Sequence, residues 1–250
     1  MTSQSPVASH QSPVNTAVLV TGAAGFAGSH LIDQLAADDN SGSAIVAWHR
    51  PGSARGPRSA SDRVRWEAVD LLDRAAVAAA IGRARPSIVF HCAGAAHVGR
   101  AWSGIEPTLA INVRGTQFVL DALASHRVQA RVLVPSSAMI YRPSPDPLRE
   151  DDPLAPPNPY GLSKLAQEML SVRAAGSGIS VCIARAFNHV GPRQDPSFVV
   201  SDFARQIAGI EAGRADPEIV VGNLEARREL TDVRDTVRAY RAVLDRGRPG

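Results

Sequence analysis

Cysteine is scarce in this sequence: Cys92 and Cys182 are the only two in 250 residues. Each sits in an apolar run that reads as a buried strand. Free thiols in a reducing compartment are therefore expected, and neither has the company of a metal site. Long apolar stretches are missing too. None approaches the roughly 20 residues of a membrane-spanning helix, so no membrane partner is expected. Residues 1–16 are rich in Ser, Gln and Pro and lack the charged-then-apolar order of a secretory signal. They read as a disordered leader on a cytoplasmic protein. Charge of one sign is nowhere concentrated: 27 basic and 24 acidic residues leave a formal net charge of +3. The arginines scatter, which argues against a nucleic-acid-binding stripe.

What is present suits a globular α/β protein. Hydrophobic residues make up 44% and charged residues 20%, and the length allows one large domain with a smaller lobe. Short apolar runs at 17–21, 44–48, 64–69, 87–91, 131–134 and 179–184 read as strands. Helical spacing recurs at 26–37, 74–83, 109–125 and 159–173. Strands that are continuously apolar and alternate with helices predict a doubly wound parallel Rossmann sheet, with a ligand crevice at the strands' carboxyl ends. That domain spans 17–186. From 187 to 250 the rhythm breaks into helices at 198–211 and 233–245 around a short strand at 218–221. This segment reads as a smaller substrate lobe that partly returns to the first domain. No internal repeat occurs.

The chemistry begins at Thr21-Gly22-Ala23-Ala24-Gly25-Phe26-Ala27-Gly28, between the first strand and first helix. A dinucleotide pyrophosphate needs a tight turn, a bare backbone and a helix N-terminus, and three glycines can meet those needs. The second strand ends Trp48-His49-Arg50 without an acid. A carboxylate there would suit the ribose of NAD, whereas arginine suits the 2′-phosphate of NADP. Arg50, with Arg55 and Arg58 on the following loop, therefore predicts NADP(H), with NAD(H) as the alternative. Asp70 and Leu71, after the third strand, face the expected adenine site.

Tyr160 and Lys164 stand four residues apart at the start of a helix, so both reach one face. A nearby ammonium favours the ionised phenol, and such a pair can move a proton on a sugar oxygen while hydride moves at the adjoining carbon. Ser137, after the fifth strand, would hold the same oxygen. Asn112, on the long helix, would order a water beside the lysine.

The glycine turn, the Ser137 segment and the YxxxK motif follow the order and spacing of the extended short-chain dehydrogenase/reductase superfamily, its NAD-dependent epimerase/dehydratase branch. The resemblance runs from Val18 to about Tyr240. It implies a homodimer, paired through the helices that carry Asn112 and Tyr160. It also implies that Ala93 and Gly94 line the nicotinamide and that His97 lines the sugar. Arg185 to Pro192 resembles the turn that presents Asn188 to a nucleotide diphosphate. Phe198 to Ile207, with Val199, is similar to the base-contacting helix of GDP-4-keto-6-deoxy-D-mannose reductases. Gly222 to Asp235 resembles their second signature, in which Arg228 would pair with the substrate phosphates.

The resemblance therefore implies reduction of the C4 ketone of GDP-4-keto-6-deoxy-D-mannose to GDP-D-rhamnose. Two alternatives stay open: a UDP-sugar 4-epimerase, and a non-catalytic nucleotide-binding protein on the same fold. Dehydration is disfavoured, because Met139 stands where dehydratases carry a glutamate. Relatives continue beyond position 250 with a further strand and helices, so the substrate lobe is expected to be incomplete.

Overall fold

The computed structural model describes residues 17–38, 42–53, 61–176 and 178–250. The leader at 1–16 and Arg55 and Arg58 lie outside the described residues. Six strands form the main sheet: β1 (Ala17–Thr21), β2 (Ala44–His49), β3 (Val64–Ala68), β4 (Ile88–His91), β5 (Ala130–Pro135) and β6 (Ile179–Ala184). Their order is β3-β2-β1-β4-β5-β6, and every pairing is parallel. This is the doubly wound sheet that the sequence predicts. The strand order reverses between β1 and β4, so the crevice opens where those two strands end.

Alternate residues of the inner strands feed two separate cores. Leu19, Val46, Trp48, Val89 and Val132 pack on one face with α2 (Arg74–Ala84) and α5 (Gly115–Ser125). Val18, Val20, Ile45 and Leu133 pack on the other with α1 (Phe26–Ala36) and α8 (Val233–Arg246). Burial on both faces is why these strands are apolar without interruption. Side-chain caps fix the helix starts: Asp73 accepts from Ala75 N and Ala76 N, both at 3.0 Å, at the head of α2. Asn158 accepts from Gly161 N at 2.8 Å at the head of α6 (Pro159–Arg173).

Three features depart from expectation. The long helix predicted at 109–125 starts earlier, as α3 (Val98–Ser103) and α4 (Ile105–Leu109), and reaches α5 through a π turn at Ala110–Arg114. Cys92 lies one residue beyond β4 and is only partly buried, whereas Cys182 is buried in β6. Residues 218–221 are no strand; they run exposed beside α7 (Val199–Glu211). There the Gln206 amide donates to Val220 O at 3.2 Å and accepts from Val220 N at 2.8 Å. A side chain thus supplies the pairing that a neighbouring strand would. The small sheet instead joins β7 (Asn188–Val190) to β8 (Leu230–Asp232), parallel, with Asn188 opposite Leu230. From β8 the chain passes into α8, which returns to pack against α1.

Between α6 and the end of β6 sits a largely buried ion pair. Arg185 donates to both carboxylate oxygens of Glu168, at 2.6 and 3.2 Å, and to Tyr141 Oη at 2.8 Å. Their side chains are 21% and 9% exposed. Removing one partner strands the other's charge. Arg185→Met should therefore cost about 2–3 kcal/mol of stability, and the double variant Arg185→Met/Glu168→Leu should recover most of it. Urea unfolding of the three proteins checks this.

Candidate active site

The site forms where β1 and β4 end side by side. Gly22 has φ +63°, and a Cβ on it would lie 2.6 Å from the Ala93 Cα. Only glycine allows this conformation and this approach together. A Cβ on Gly28 would collide with Gly22 O, so the first turn of α1 also rests directly on the loop. The N-cap of α1 is Gly25, which offers no side-chain cap, and the first turn carries no acid. The donors at this helix start therefore have no side-chain partner, beside a turn packed too closely for any Cβ at Gly22 or Gly28. A dinucleotide pyrophosphate fits such a helix start. Phe26, grouped with the cofactor residues by sequence, stacks on His189 at 5.6 Å. It thereby ties the glycine turn to β7.

The other expected cofactor residues divide. Arg50 and Asp70 are exposed at the ends of β2 and β3, and Asp70 Oδ1 accepts from Leu72 N at 2.9 Å. Leu71 is buried in the core. Ala93 and Gly94 continue β4 past the glycine turn. A Cβ on Gly94 would lie 2.9 Å from Asn112 Oδ1.

Asn112 has a different task from the one expected. Both its N–H groups are committed, to Ala95 O at 3.2 Å and to Ser163 Oγ at 2.9 Å. Its Oδ1 accepts from Ala95 N at 2.7 Å. The side chain is fully buried in the π turn and clamps the loop after β4 to α6. With these contacts made, it has no hydrogen left for a water beside the lysine.

Ser137, Tyr160 and Lys164 come together. Ser137 ends the loop after β5 and accepts from Met139 N at 3.1 Å. It also hydrogen-bonds to Tyr160, which holds the phenol's pKa down, but burial outweighs this and raises it. Burial pulls Lys164 down to about 8, partly opposed by Cys92 and Glu168. The Cys92 thiol is driven up to about 12 by burial and stays protonated. Gly161 is required beside Tyr160 because a Cβ there would collide with Met139 O. The start of α6 therefore lies directly against the Ser137–Tyr141 turn.

The expected substrate residues lie on the smaller lobe and facing it. The rings of His97 and Phe198 meet at 5.1 Å, beside the exposed Val199 that begins α7. Asn188 is exposed at the start of β7. Arg228 stands two residues before Leu230, its partner in register, and donates to Arg227 O at 2.6 Å.

Sequence reading missed a buried polar row beneath the site. His91 Nδ1 contacts Thr21 Oγ1 and His91 Nε2 contacts Thr116 Oγ1, both at 2.9 Å. All three side chains are buried. Thr116 follows Asn112 by one helical turn, and that spacing was the available signal. Burial, with a smaller contribution from the Lys164 charge, lowers His91 to about 3.

Among known proteins, the model of the NAD dependent epimerase/dehydratase family matches residues 18–250. GDP-6-deoxy-D-mannose reductase of Pseudomonas aeruginosa is 33% identical over 237 residues, 93% of this chain and 72% of that protein. UDP-glucose 4-epimerase 4 of Oryza sativa subsp. japonica is 29% identical over 249 residues, 92% of this chain and 66% of that protein. The structure of MoeE5 in complex with UDP-glucose and NAD superposes with a TM-score of 0.76 at 35% identity, covering 92% of this chain and 73% of that one. The chain belongs to the NAD dependent epimerase/dehydratase family.

The buried histidine makes the fold acid-sensitive. Native His91 stays neutral down to about pH 3, while the unfolded chain takes up the proton near 6.5. Between those values the unfolded state binds more protons, so stability falls as pH falls. From about pH 7 to about pH 5 this group alone should remove about 2 kcal/mol. Urea midpoints at the two pH values check it, and His91→Gln should flatten the difference.

Proposed function

We propose that this family member exchanges a hydride and a proton at C4 of a nucleoside-diphosphate sugar. One observation carries the reading: Tyr160 is hydrogen-bonded to Ser137 and stands one turn before Lys164. A nicotinamide cofactor, when bound, takes up or supplies the hydride. Tyr160 Oη takes the proton from the C4 hydroxyl as the ketone forms and returns it as the alcohol re-forms. Ser137 Oγ holds that oxygen through both directions. The Lys164 ammonium offsets negative charge on the phenol oxygen. Elimination of water would need another acid or base, and the neighbouring side chain is Met139, which can neither give nor take a proton.

Within that chemistry, 4-epimerisation of a UDP-linked sugar is the reading we favour. UDP-glucose 4-epimerases recur among the relatives, and MoeE5 at 35% identity was solved with UDP-glucose and NAD. Met139 also suits a site that needs no acid beyond Tyr160. Reduction of GDP-4-keto-6-deoxy-D-mannose by NADPH is the second reading, and specific observations support it. The P. aeruginosa reductase is 33% identical, and β2 ends at His49, followed by Arg50, without a carboxylate.

The two readings separate in one assay. We expect UDP-glucose and UDP-galactose to interconvert with NAD present and no net change in nicotinamide absorbance. Steady consumption of NADPH with a GDP-linked 4-keto sugar, and no interconversion, would establish the second reading instead. In either assay Tyr160→Phe should lose about 100-fold or more in kcat with little change in cofactor affinity. Retention of more than a tenth of the rate would remove it from the proton transfer.

Arg228 and Asn188 are the proposed partners of the substrate diphosphate, with His97 and Val199 toward the sugar and base. A charge-assisted contact to phosphate contributes about 1.5–3 kcal/mol, roughly ten- to a hundredfold in affinity. Arg228→Ala should weaken binding of the nucleoside diphosphate by that factor and leave the nucleoside unaffected. Calorimetric titration of UDP against uridine, and GDP against guanosine, checks this. Equal weakening of both members of a pair would mean a folding defect.

A further inference from the structure

Lys164 is the one lysine in the chain; the other 26 of its 27 basic residues are arginines. Its ammonium is buried and donates to Gln167 Oε1 at 2.5 Å, one turn further along α6. Gln167 is buried as well, and its Nε2 donates to Thr116 Oγ1 at 2.8 Å on α5. Turning the amide over would aim its NH2 at the ammonium, so the orientation is determined.

The proton count behind Gln167 is equally restricted. Thr116 has one hydroxyl hydrogen, and Asn112 O takes it at 2.6 Å. Towards Gln167 and His91 the hydroxyl can therefore only accept. His91 must carry its hydrogen on Nε2, leaving Nδ1 to accept from Thr21 Oγ1. Thr21 Oγ1 in turn accepts from Ala93 N at 3.2 Å, against the glycine turn. From Lys164 to Thr21 each bond has a fixed donor and acceptor, and reversing any single bond sets two donors or two acceptors face to face.

We propose that Gln167 is a positioning residue for Lys164, holding the ammonium at one point on α6 and joining it through Thr116 and His91 to the cofactor turn. The proposal rests on the reading of Tyr160 and Lys164 as the proton-handling pair. Gln167 touches no reacting atom; it acts through the lysine. The charged neighbour of the ammonium is Glu168 on its own helix; Cys92 after β4 and His91 at the end of β4 are its other titratable neighbours. Glu168 is held by Arg185, the Cys92 thiol is protonated, and His91 is neutral. Thr116 and Asn112 carry no charge. Among these groups, the neutral carbonyl of Gln167 accepts directly from the ammonium.

A single lysine makes the test direct. Protein grown with lysine labelled with carbon-13 at Cε gives one resonance from the chain, and its pH titration reads Lys164 without substrate, cofactor or turnover. Gln167→Leu removes the acceptor of the charged form and should lower the midpoint by about one unit. Gln167→Glu offers a carboxylate in the same volume and should raise it by about one unit. In turnover, Gln167→Leu should lose roughly tenfold in kcat with KM for the nucleotide sugar little changed, the size of one hydrogen bond to a charge. A residue that merely packs would lower the melting temperature of the leucine variant and leave both midpoints at the wild-type value. That result overturns the proposal. Should the leucine variant not fold, the glutamate variant decides alone: a raised midpoint supports the coupling and an unmoved one refutes it. Opposite shifts in a protein that turns over no nucleotide sugar would sink the proposed reaction and leave the Gln167–Lys164 coupling standing.

Discussion

The contact on which the rest depends is between two backbones, where the turn after β1 presses against the strand end at Ala93. Gly22 supplies the left-handed conformation and the empty volume that the approach demands. With the two chains in contact, Thr21 reaches both His91 and Ala93 N. The polar row can start only from that contact. Gly28 then seats α1 against the turn, and Gly94 makes room for the amide of Asn112. Each of these glycines leaves space that a neighbour's backbone or polar group uses, and together they bring the start of α1 and α6 to the same crevice.

The fold was legible because its signals are local and repeated. Buried parallel strands show as uninterrupted apolar runs, and the six of the main sheet lie where the sequence indicates. The run at 218–221 is apolar as well, yet it finds a glutamine side chain in place of a strand neighbour. Hydropathy cannot tell those partners apart. The β7–β8 pair has three residues a side and was invisible for the opposite reason: too short to show a period.

The site was legible where spacing along one element is enough. Tyr160 and Lys164, four apart, announce a shared face. Asn112 was recognised as a residue of interest, but its work depends on Ala95 and Ser163, which sequence distance does not bring near. The effect of burial on the tyrosine was not legible, because sequence shows the nearby cation and not the depth of burial. Polar groups held in an apolar interior are costly unless each has a partner. That cost explains why this row of Thr, His, Thr and Gln is so completely paired.

The π turn at Ala110–Arg114 has a consequence for how one long helix serves two sets of neighbours. A π turn carries an extra residue in an otherwise α-helical path, and at 3.6 residues per turn one residue is worth roughly 100° of rotation. The segments before and after it are therefore out of phase. α4 meets α3 and α6, while α5 meets α2 and α6. Asn112 sits in the turn itself. Loss of one residue here would heal the helix with both flanking faces kept, and would remove the bulged position from which Asn112 reaches Ala95 and Ser163. Run as one continuous α-helix, the same residues would break the alignment between core and crevice; the turn works as an angular setting.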